Sequence, residues 1–395
     1  MKAKDRTTTE ILSALIGYAS VSSQSNLDII AYVEGCLADS GIASQRIPDA
    51  TGAKASLLAT IGPADRPGIV LSAHTDVVPV EGQLWSSPPF VATRVDDRLV
   101  GRGATDMKGF AASVLAHIPY FKEAATATPV HIAFSYDEEV GCLGAPHLAA
   151  AVAQLPSRPV LCIVGEPTHL RVVRAHKGKV ARRLTVTGRA GHSALPHRAA
   201  NAVVAAARIA GSLAALADRL AQTDVRDAAF EPPYSTLHVA SLHGGSALNF
   251  VPDRATLEFE IRHLPGTDVS AMLREIDAEV AIIRADLRRS AQEADVAVEE
   301  LISYPAFSVA PDHPVVATVA QLVDDEAAAG AVSFGTEAGF YAAAGIPTVV
   351  CGPGDIARAH KADEWIGVDE LAGADQMMER LAALLSRPVE DWCKA

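Results

Sequence analysis

The chain has 395 residues, 49% of them hydrophobic and 21% charged, which indicates a globular protein long enough for two domains. Its formal net charge of −13 argues against nucleic acid or an anionic membrane as a partner and weakly favours a cationic substrate. Five scattered cysteines without a CxxC pair predict a reduced, cytoplasmic protein. The polar start at residues 1–6 lacks the apolar core of a signal peptide, and no segment predicts a transmembrane helix.

Apolar runs that alternate with helical patterns predict an α/β domain. Two helices are expected first, from Thr9 to Tyr18 and from Asn26 to Asp39, with Gly41 closing the second. Near-continuous apolar strands are expected at 68–73, 129–134, 159–164 and 347–351, with helices between them at 109–122 and 146–155. This order predicts a mixed, mostly parallel sheet covered by helices on both faces.

The pattern changes between about residues 178 and 305. A strand, a helix, two strands, a helix and a strand are predicted there, at 181–188, 201–220, 235–242, 255–262, 268–291 and 296–303. The last helix has apolar residues at intervals of three and four, which give it one buried stripe. The order βαββαβ predicts a small α+β unit inserted in the larger domain. We therefore expect one domain from 1–179 and 306–395, and an inserted domain from 180–305.

Histidine and acidic residues follow several of the predicted strands. The candidates are His74, Asp76, Asp106, Glu138, Glu139, Glu166 and His360. The carboxyl ends of parallel strands share one edge of a sheet, so these side chains are expected to meet. Taken singly, His74 could be a structural histidine, Asp106 a helix N-cap and Glu139 a solvated acid before a turn. Together, two histidines and three carboxylates suffice for two metal ions that share one bridging carboxylate.

The chemistry of these donors favours a hydrolytic metal site over a structural one. Nitrogen and oxygen ligands without thiolate suit zinc, cobalt or manganese. Asp76 lies two residues after His74, where a carboxylate can orient the second ring nitrogen. Glu138, next to the ligand Glu139, would stay free to take a proton from an activated water. This division of roles predicts metal-assisted hydrolysis.

Five segments resemble, in order, the metal motifs of the acetylornithine deacetylase / succinyl-diaminopimelate desuccinylase family of dinuclear-zinc amidohydrolases and exopeptidases. They are Ser72–Val80, Gly101–Gly109, Ser135–Gly141, Gly165–Thr168 and Ala359–Lys361. The resemblance spans essentially the whole chain and implies two divalent ions per subunit, zinc or else cobalt. It implies that Asp106 bridges them, that His74 and Glu166 complete one metal position, and that Glu139 and His360 complete the other.

The same resemblance implies that Glu138 is the general base, that Asp76 orients the first histidine ligand, and that the peptide after the bridging aspartate is cis. The inserted unit resembles the family's lid, which also forms a dimer interface, so a homodimer is expected. Gly191–Ala194 resembles the motif whose histidine, here His192, stabilises the oxyanion in the partner's active site. A histidine in a turn is the alternative, and His197 is a weaker candidate.

Further motifs concern the substrate. Asn249 and Arg262 resemble the family's clamp for a substrate carboxylate, which arginine can bind through two hydrogen bonds, although a surface arginine at a strand end is the alternative. Gly335, Thr336 and Glu337 resemble the acetylornithine deacetylase branch, since the desuccinylase branch tends to have Ser-Asp after Gly-Thr. We expect Glu337 to contact the side-chain amine of ornithine.

The resemblance therefore implies deacetylation of N2-acetyl-L-ornithine to L-ornithine and acetate, in arginine biosynthesis. Succinyl-diaminopimelate, acetylcitrulline, other N-acyl amino acids and dipeptides are alternative substrates within the family. A non-catalytic metal-binding or amino-acid-binding protein is the alternative from another class. Glu138 and His192 speak against it, because a binding protein needs neither a base nor an oxyanion donor.

Overall fold

A computed structural model describes residues 6–393, so the polar start at Met1–Asp5 and our expectation for it lie outside the described residues. The contacts divide the chain into two units. The first comprises the chain up to residue 175 together with 307–331 and 336 onward, and the second comprises 176–306 and 332–335. The lid and dimer roles expected for 180–305 stay predictions. Within residues 6–393, no helix combines the length and apolar character needed to cross a membrane.

The elements of the first unit up to residue 176 fall in the order expected for an α/β domain. Helices α1 to α5 are Thr8–Ile16, Leu27–Asp39, Gly109–Ala116, Ile118–Ala124 and Ala145–Ala153. Strands β1 to β8 are Ser44–Pro48, Ala55–Ile61, Ile69–His74, Thr93–Val95, Arg98–Val100, Val130–Ser135, Leu161–Val164 and Val173–His176. The single helix predicted for 109–122 is two helices, because Pro119 lacks the N–H that would continue the first one.

The rest of the chain completes both units. Strands β9 to β14 are Gly178–Thr187, Gly191–His192, Thr236–Gly244, Phe250–Val251, Arg254–His263 and Asp295–Tyr304, with helices α6 at Ala202–Thr223 and α7 at Val269–Ser290. The chain then returns to the first unit. It adds strands β15 to β18 at Phe307–Ser308, Gly330–Val332, Thr348–Val350 and Trp365–Gly367, and helices α8 to α10 at Pro314–Leu322, Ala338–Ala343 and Val368–Leu384.

A nine-stranded sheet organises the first unit. Its order is β1-β2-β6-β3-β7-β17-β8-β15, with β16 paired to β8. The central strands β6, β3, β7 and β17 run parallel, while β2 and β8 flank them antiparallel. Helices α1, α2, α3 and α10 form one buried cluster with the sheet, and α5 and α9 contact it outside that cluster. The predicted mixed, mostly parallel sheet with helices on both faces is confirmed.

The second unit is an antiparallel sheet with two helices. Its strand order is β11-β13-β9-β14, and the short strands β10 and β12 pair separately. Alternate residues of β13 are buried, and they pack in one apolar cluster with the stripes of α6 and α7. The side chains of Asn201 and Asp268 cap these helices by accepting backbone N–H groups. The predicted order βαββαβ is confirmed, whereas the two-residue strands were too short to leave a pattern.

Candidate metal and catalytic site

Parallel strands bring acidic and histidine side chains to one edge of the large sheet. His74 is the last residue of β3, and Glu138 and Glu139 follow shortly after the end of β6. Glu166 lies two residues after the end of β7. Side chains at the carboxyl ends of neighbouring parallel strands converge, and this edge is where open α/β sheets hold ligands.

Two further residues reach this edge from loops. Asp106 lies in an irregular turn at Ala104–Lys108, where its φ of −121° and ψ of 93° depart from helical values. Its peptide bond to Met107 is cis, as the family resemblance implies. His360 follows a 3₁₀ turn at Ile356–Arg358 and has a φ of +62°. The irregular backbone at both positions aims their side chains toward the strand ends.

Asp106 lies between two histidines. Its Oδ1 is 3.0 Å from Nε2 of His74, and its Oδ2 is 3.3 Å from Nε2 of His360. The same Nε2 of His360 is 3.0 Å from Oε2 of Glu139, and Nε2 of His74 is 3.9 Å from Oε1 of Glu166. The five predicted ligands therefore form two groups that share the carboxylate of Asp106.

The donor set of this cluster fits divalent cations. Ligand atoms of His74, Asp106 and Glu139 lie within 4.8 Å of one another, and so do those of His74, Glu138 and Glu166. Four carboxylates share this space with two imidazoles, and metal ions would neutralise the resulting excess of negative charge. Carboxylate and imidazole without thiolate are ligands typical of zinc and related ions in hydrolases. Glu138 is close enough to be a ligand itself, so its predicted role as a free base needs a direct test.

The pKa values show how the cluster distributes charge. Burial, then the charge of Asp106, raises the pKa of Glu139 to about 7. Burial opposes ionisation of Asp106, yet hydrogen bonds from His360 and His74 hold its pKa well below the usual value. Hydrogen bonds to Asp106 and Glu139 raise the pKa of His360 to about 10. Burial raises the pKa of the two remaining acids, Glu138 and Glu166. These shifts all follow from several carboxylates that share one space with two imidazoles.

Asp76 contacts both the first histidine and the glutamate pair. Nδ1 of His74 is 2.9 Å from the main-chain oxygen of Asp76 and 3.6 Å from its Oδ1. The carboxylate instead accepts the backbone N–H groups of Glu138 and Glu139, at 3.0 and 3.3 Å, and the hydroxyl of Ser22 at 2.6 Å. One aspartate thus links a predicted metal ligand to the predicted base.

The turn that carries Glu138 is held from both sides. Asp137 precedes it with a φ of +55° and forms an ion pair with Lys54, whose Nζ lies 2.6 Å from Oδ1. The buried thiol of Cys142 lies 3.5 Å from Oε1 of Glu138. The ion pair fixes the backbone just before Glu138, and the thiol contacts the Glu138 side chain itself. Glu138 as a whole is of intermediate burial.

Four predicted substrate or oxyanion residues belong to the second unit. His192 and Asn249 are exposed, and Nδ1 of His192 accepts the backbone N–H of Ala194 at 3.1 Å. Arg262 is partly exposed and donates to Oε1 of Glu260 at 2.9 Å. Gly335 completes this set, and a Cβ there would lie 2.0 Å from the ring of Tyr304. Their contacts with substrate stay predictions.

Thr336 and Glu337 belong to the first unit and are fully buried. The carboxylate of Glu337 accepts hydrogen bonds from Ser72 at 2.5 Å and Ser135 at 2.6 Å. The two serines lie on the neighbouring strands β3 and β6, just before the residues of the metal cluster. This enclosure argues against a direct contact between Glu337 and the amine of a substrate.

Ser22, Lys54 and Glu364 also support this site, although no sequence pattern singled them out. Glu364 accepts the backbone N–H of Asp106 at 3.1 Å and is 1% exposed. An acidic residue four positions after the predicted ligand His360, directly before an apolar strand, was the one available signal. Ser22 and Lys54 precede their partners by more than fifty residues and left no local signal.

Comparison of the sequence with known proteins points to one family. Residues 70–384 match the model of the peptidase family M20/M25/M40. Acetylornithine deacetylase of Proteus mirabilis is 33% identical, over 100% of this chain and 99% of that protein. Acetylornithine deacetylase of Yersinia pestis is 34% identical over 100% of both.

Solved structures are similar in fold. An M20 family metallo-carboxypeptidase from Sulfolobus solfataricus superposes with a TM-score of 0.75 at 18% identity, over 96% of this chain and 99% of that one. A dinuclear metal-binding peptidase of the M20 family from Bacillus subtilis gives 0.64 at 16% identity, over 96% and 97%. This chain belongs to the peptidase family M20/M25/M40 and is an enzyme that hydrolyses amide bonds.

Proposed function

We propose that this enzyme removes the acetyl group of N2-acetyl-L-ornithine, giving L-ornithine and acetate, as a step of arginine biosynthesis. The observation that carries the proposal is full-length similarity, at 33–34% identity, to proteins named acetylornithine deacetylase. The cluster around Asp106 supports it by supplying ligands for the metals such a hydrolysis needs. The five free cysteines are all buried, which suits a reducing, cytoplasmic compartment.

The metal ligands in this proposal are His74, Asp106, Glu139, Glu166 and His360. Two zinc or cobalt ions held by them would polarise the amide carbonyl and lower the pKa of the attacking water. The two oxygens of Asp106 face different histidines, which suits a carboxylate shared by two metal positions.

Glu138 is the proposed general base and acid. It takes a proton from the attacking water and returns it to the departing amine, so that the C–N bond breaks to a neutral amine. Burial, which raises the pKa of Glu138, favours the protonated form that the second step requires. Asp76 keeps the carboxylate in place by binding the backbone of the same turn.

Substrate recognition is proposed for a separate set of residues. Arg262 and Asn249 would bind the α-carboxylate of the substrate, and Gly335 and Thr336 are proposed as further substrate contacts. His192, supplied by the partner of a homodimer formed through the second unit, would donate an N–H to the oxyanion. Glu337 would act on the ornithine amine only indirectly, since its carboxylate is taken up by two serines.

A panel of N-acyl amino acids tests the proposal. Purified enzyme loaded with zinc or with cobalt is assayed on N2-acetylornithine, acetylcitrulline, acetylmethionine, succinyl-diaminopimelate and a dipeptide. The proposal predicts the highest kcat/KM for N2-acetylornithine with either metal. A higher kcat/KM for succinyl-diaminopimelate or for the dipeptide would identify that compound, rather than N2-acetylornithine, as the preferred substrate. Tight binding of acetylornithine without turnover would favour a binding protein instead.

The Glu337→Gln variant tests whether Glu337 contacts the side-chain amine of ornithine. Its kcat/KM is compared with wild type on acetylornithine and on neutral acetylmethionine. We expect a similar loss on both substrates, because the buried carboxylate lies against Ser72 and Ser135. A loss confined to acetylornithine would restore Glu337 as the partner of the side-chain amine.

A further inference from the structure

We propose that Glu364, acting with Arg102, is a positioning residue that holds Asp106 and His360 at a fixed separation. The proposal rests on the proposed function of Asp106 and His360 as metal ligands. It assigns to a buried ion pair the task of shaping one of the two metal positions, the one that His360 and Glu139 complete.

The carboxylate of Glu364 is saturated by donors from the loop that carries Asp106. Its Oε1 accepts the backbone N–H groups of Thr105 at 2.9 Å and Asp106 at 3.1 Å. Its Oε2 accepts the N–H of Gly103 at 3.0 Å and Nη1 of Arg102 at 2.8 Å. Glu364 and Arg102 are each 1% exposed, so water does not substitute for any of these partners. The acceptor sites of a carboxylate are thus filled by one short segment.

This loop needs such an acceptor because its backbone is irregular. The dihedral angles of Asp106 and Met107 are non-helical, which interrupts the hydrogen-bond ladder at the start of α3. A buried N–H group left without a partner is unfavourable, because it loses the hydrogen bond that water gives it in the unfolded chain. Glu364 supplies acceptors for three such groups, so the main chain of Asp106 is fixed relative to the segment that follows His360.

Arg102 extends the same network to the His360 side. Its Nη1 donates to the carbonyl of Lys361 at 3.2 Å, and its Nη2 donates to Oε1 of Gln83 at 2.5 Å. Gln83 in turn donates through Nε2 to the carbonyl of His360 at 2.9 Å. His360 has a positive φ, which residues other than glycine rarely adopt. The hydrogen bonds to the carbonyls of His360 and Lys361 support this backbone conformation. One ion pair therefore fixes the backbone on both sides of the 3.3 Å contact between Asp106 and His360.

The two metal positions should depend on this network unequally. His74 ends β3, and Glu166 follows β7, so the paired strands of the sheet hold these ligands directly. His360 lies on a loop and is 53% exposed, and its backbone has the Arg102 network as support. Loss of the Glu364 carboxylate is therefore expected to weaken the position of His360 and Glu139 more than that of His74 and Glu166.

The test is calorimetric titration of metal-free Glu364→Gln with Zn²⁺ and, separately, with Co²⁺. Glutamine keeps the size of the side chain but turns an N–H donor toward backbone N–H groups. We expect one of the two equivalents of metal to bind about 10–100-fold more weakly than in wild type, the range found for partners that orient metal ligands. The other equivalent is expected to bind as in wild type.

Asp325→Asn is the matched control. The side chain of Asp325 is 4% exposed and also pairs with an arginine, Arg171, and with backbone N–H groups, those of Val172 and Ala327. The D325N variant therefore loses a buried carboxylate of the same kind, and it leaves the loops of Asp106 and His360 unchanged. Should E364Q fail to fold, Gln83→Leu replaces it, because Gln83 is partly exposed and joins Arg102 to His360. The same weakening of one of the two equivalents is expected.

Three results separate the outcomes. If E364Q, or Q83L where it is needed, binds two ions with the same affinities as wild type, the positioning role is overturned and the proposed function is left intact. An equal loss in D325N would also overturn it, because general destabilisation would then suffice. A wild-type enzyme that binds two ions but fails to hydrolyse N2-acetylornithine would overturn the proposed substrate and leave the positioning role intact.

Discussion

The carboxylate of Asp76 accepts a hydrogen bond from the backbone N–H of Glu138, at 3.0 Å. The ring of His74 meets the main-chain oxygen of Asp76 at 2.9 Å, closer than the carboxylate at 3.6 Å. The side chain of Asp76 therefore stabilises the turn of the predicted base at least as directly as it orients the predicted ligand.

Asp76→Asn separates these two roles. The main-chain oxygen that faces His74 remains in the variant, so both metal ions should still bind. An amide in place of one oxygen removes an acceptor for the glutamate pair, and kcat should fall by about 10–100-fold, as for other partners that orient active-site groups. Metal content and steady-state kinetics measure the two effects. Loss of an ion in D76N would show that the carboxylate acts mainly through His74.

Glu138→Ala distinguishes a base from a ligand. If Glu138 transfers protons, the variant keeps both ions while kcat falls by at least ~10²–10⁴-fold, the usual contribution of a general base. Elemental analysis of the dialysed protein is compared with wild type. The ligand role gains support from the proximity of Glu138 to His74 and Glu166, and a missing ion in E138A would establish it.

Gly165 is required by close packing next to Glu166. A Cβ at this position would lie 2.0 Å from the ring of Phe110. Gly165→Ala is expected to lower the free energy of unfolding by ~1–3 kcal/mol, the usual cost of overpacking a core. Phe110→Leu in the same chain should recover part of this loss by making room. Urea unfolding of the four proteins forms a double-mutant cycle, and additive effects would show that the two residues do not compete for space.

His131 gives the fold a defined sensitivity to acid. It is buried on β6, its Nδ1 lies 2.9 Å from Oγ1 of Thr60, and its Nε2 has no hydrogen-bond partner among residues 6–393. Burial lowers its pKa to about 4, against an ordinary value of about 6.5. Between these values the unfolded chain binds a proton that the folded chain excludes, so stability falls as the pH falls.

His131→Gln removes that titration. As the pH falls from 6.5 to 4, the free energy of unfolding of wild type should decrease by up to ~3 kcal/mol more than that of the variant, at 1.36 kcal/mol per pKa unit. Urea unfolding at pH 7 and pH 5 measures part of this difference. Equal pH dependence in both proteins would mean that His131 is accessible to protons in the native state.

The predictable part of the site consists of residues at the ends of regular elements. The sequence pattern predicts that His74, Glu139 and Glu166 lie on one edge of the sheet, because parallel strands share that edge. The pattern βαββαβ likewise follows from period and turn signals. Local sequence carries these features, which is why they could be read from it.

Contacts across long stretches of the chain could not be read in this way. The Glu364 carboxylate meets the backbone of residues 103–106 more than 250 positions earlier, and Lys54 meets Asp137 across 83 positions. The burial of Glu337 was missed for the same reason, since both of its serine partners lie on distant strands. Such contacts depend on tertiary packing, and a charged residue in sequence gives no sign of whether it is exposed.

The most direct test is the metal stoichiometry of wild type, His360→Ala and Asp106→Asn by elemental analysis after saturation and gel filtration. If the Asp106 carboxylate serves two metal positions, wild type holds two divalent ions, H360A retains one, and D106N loses both or binds them far more weakly. Two tightly bound ions in D106N would contradict the shared carboxylate on which the account depends.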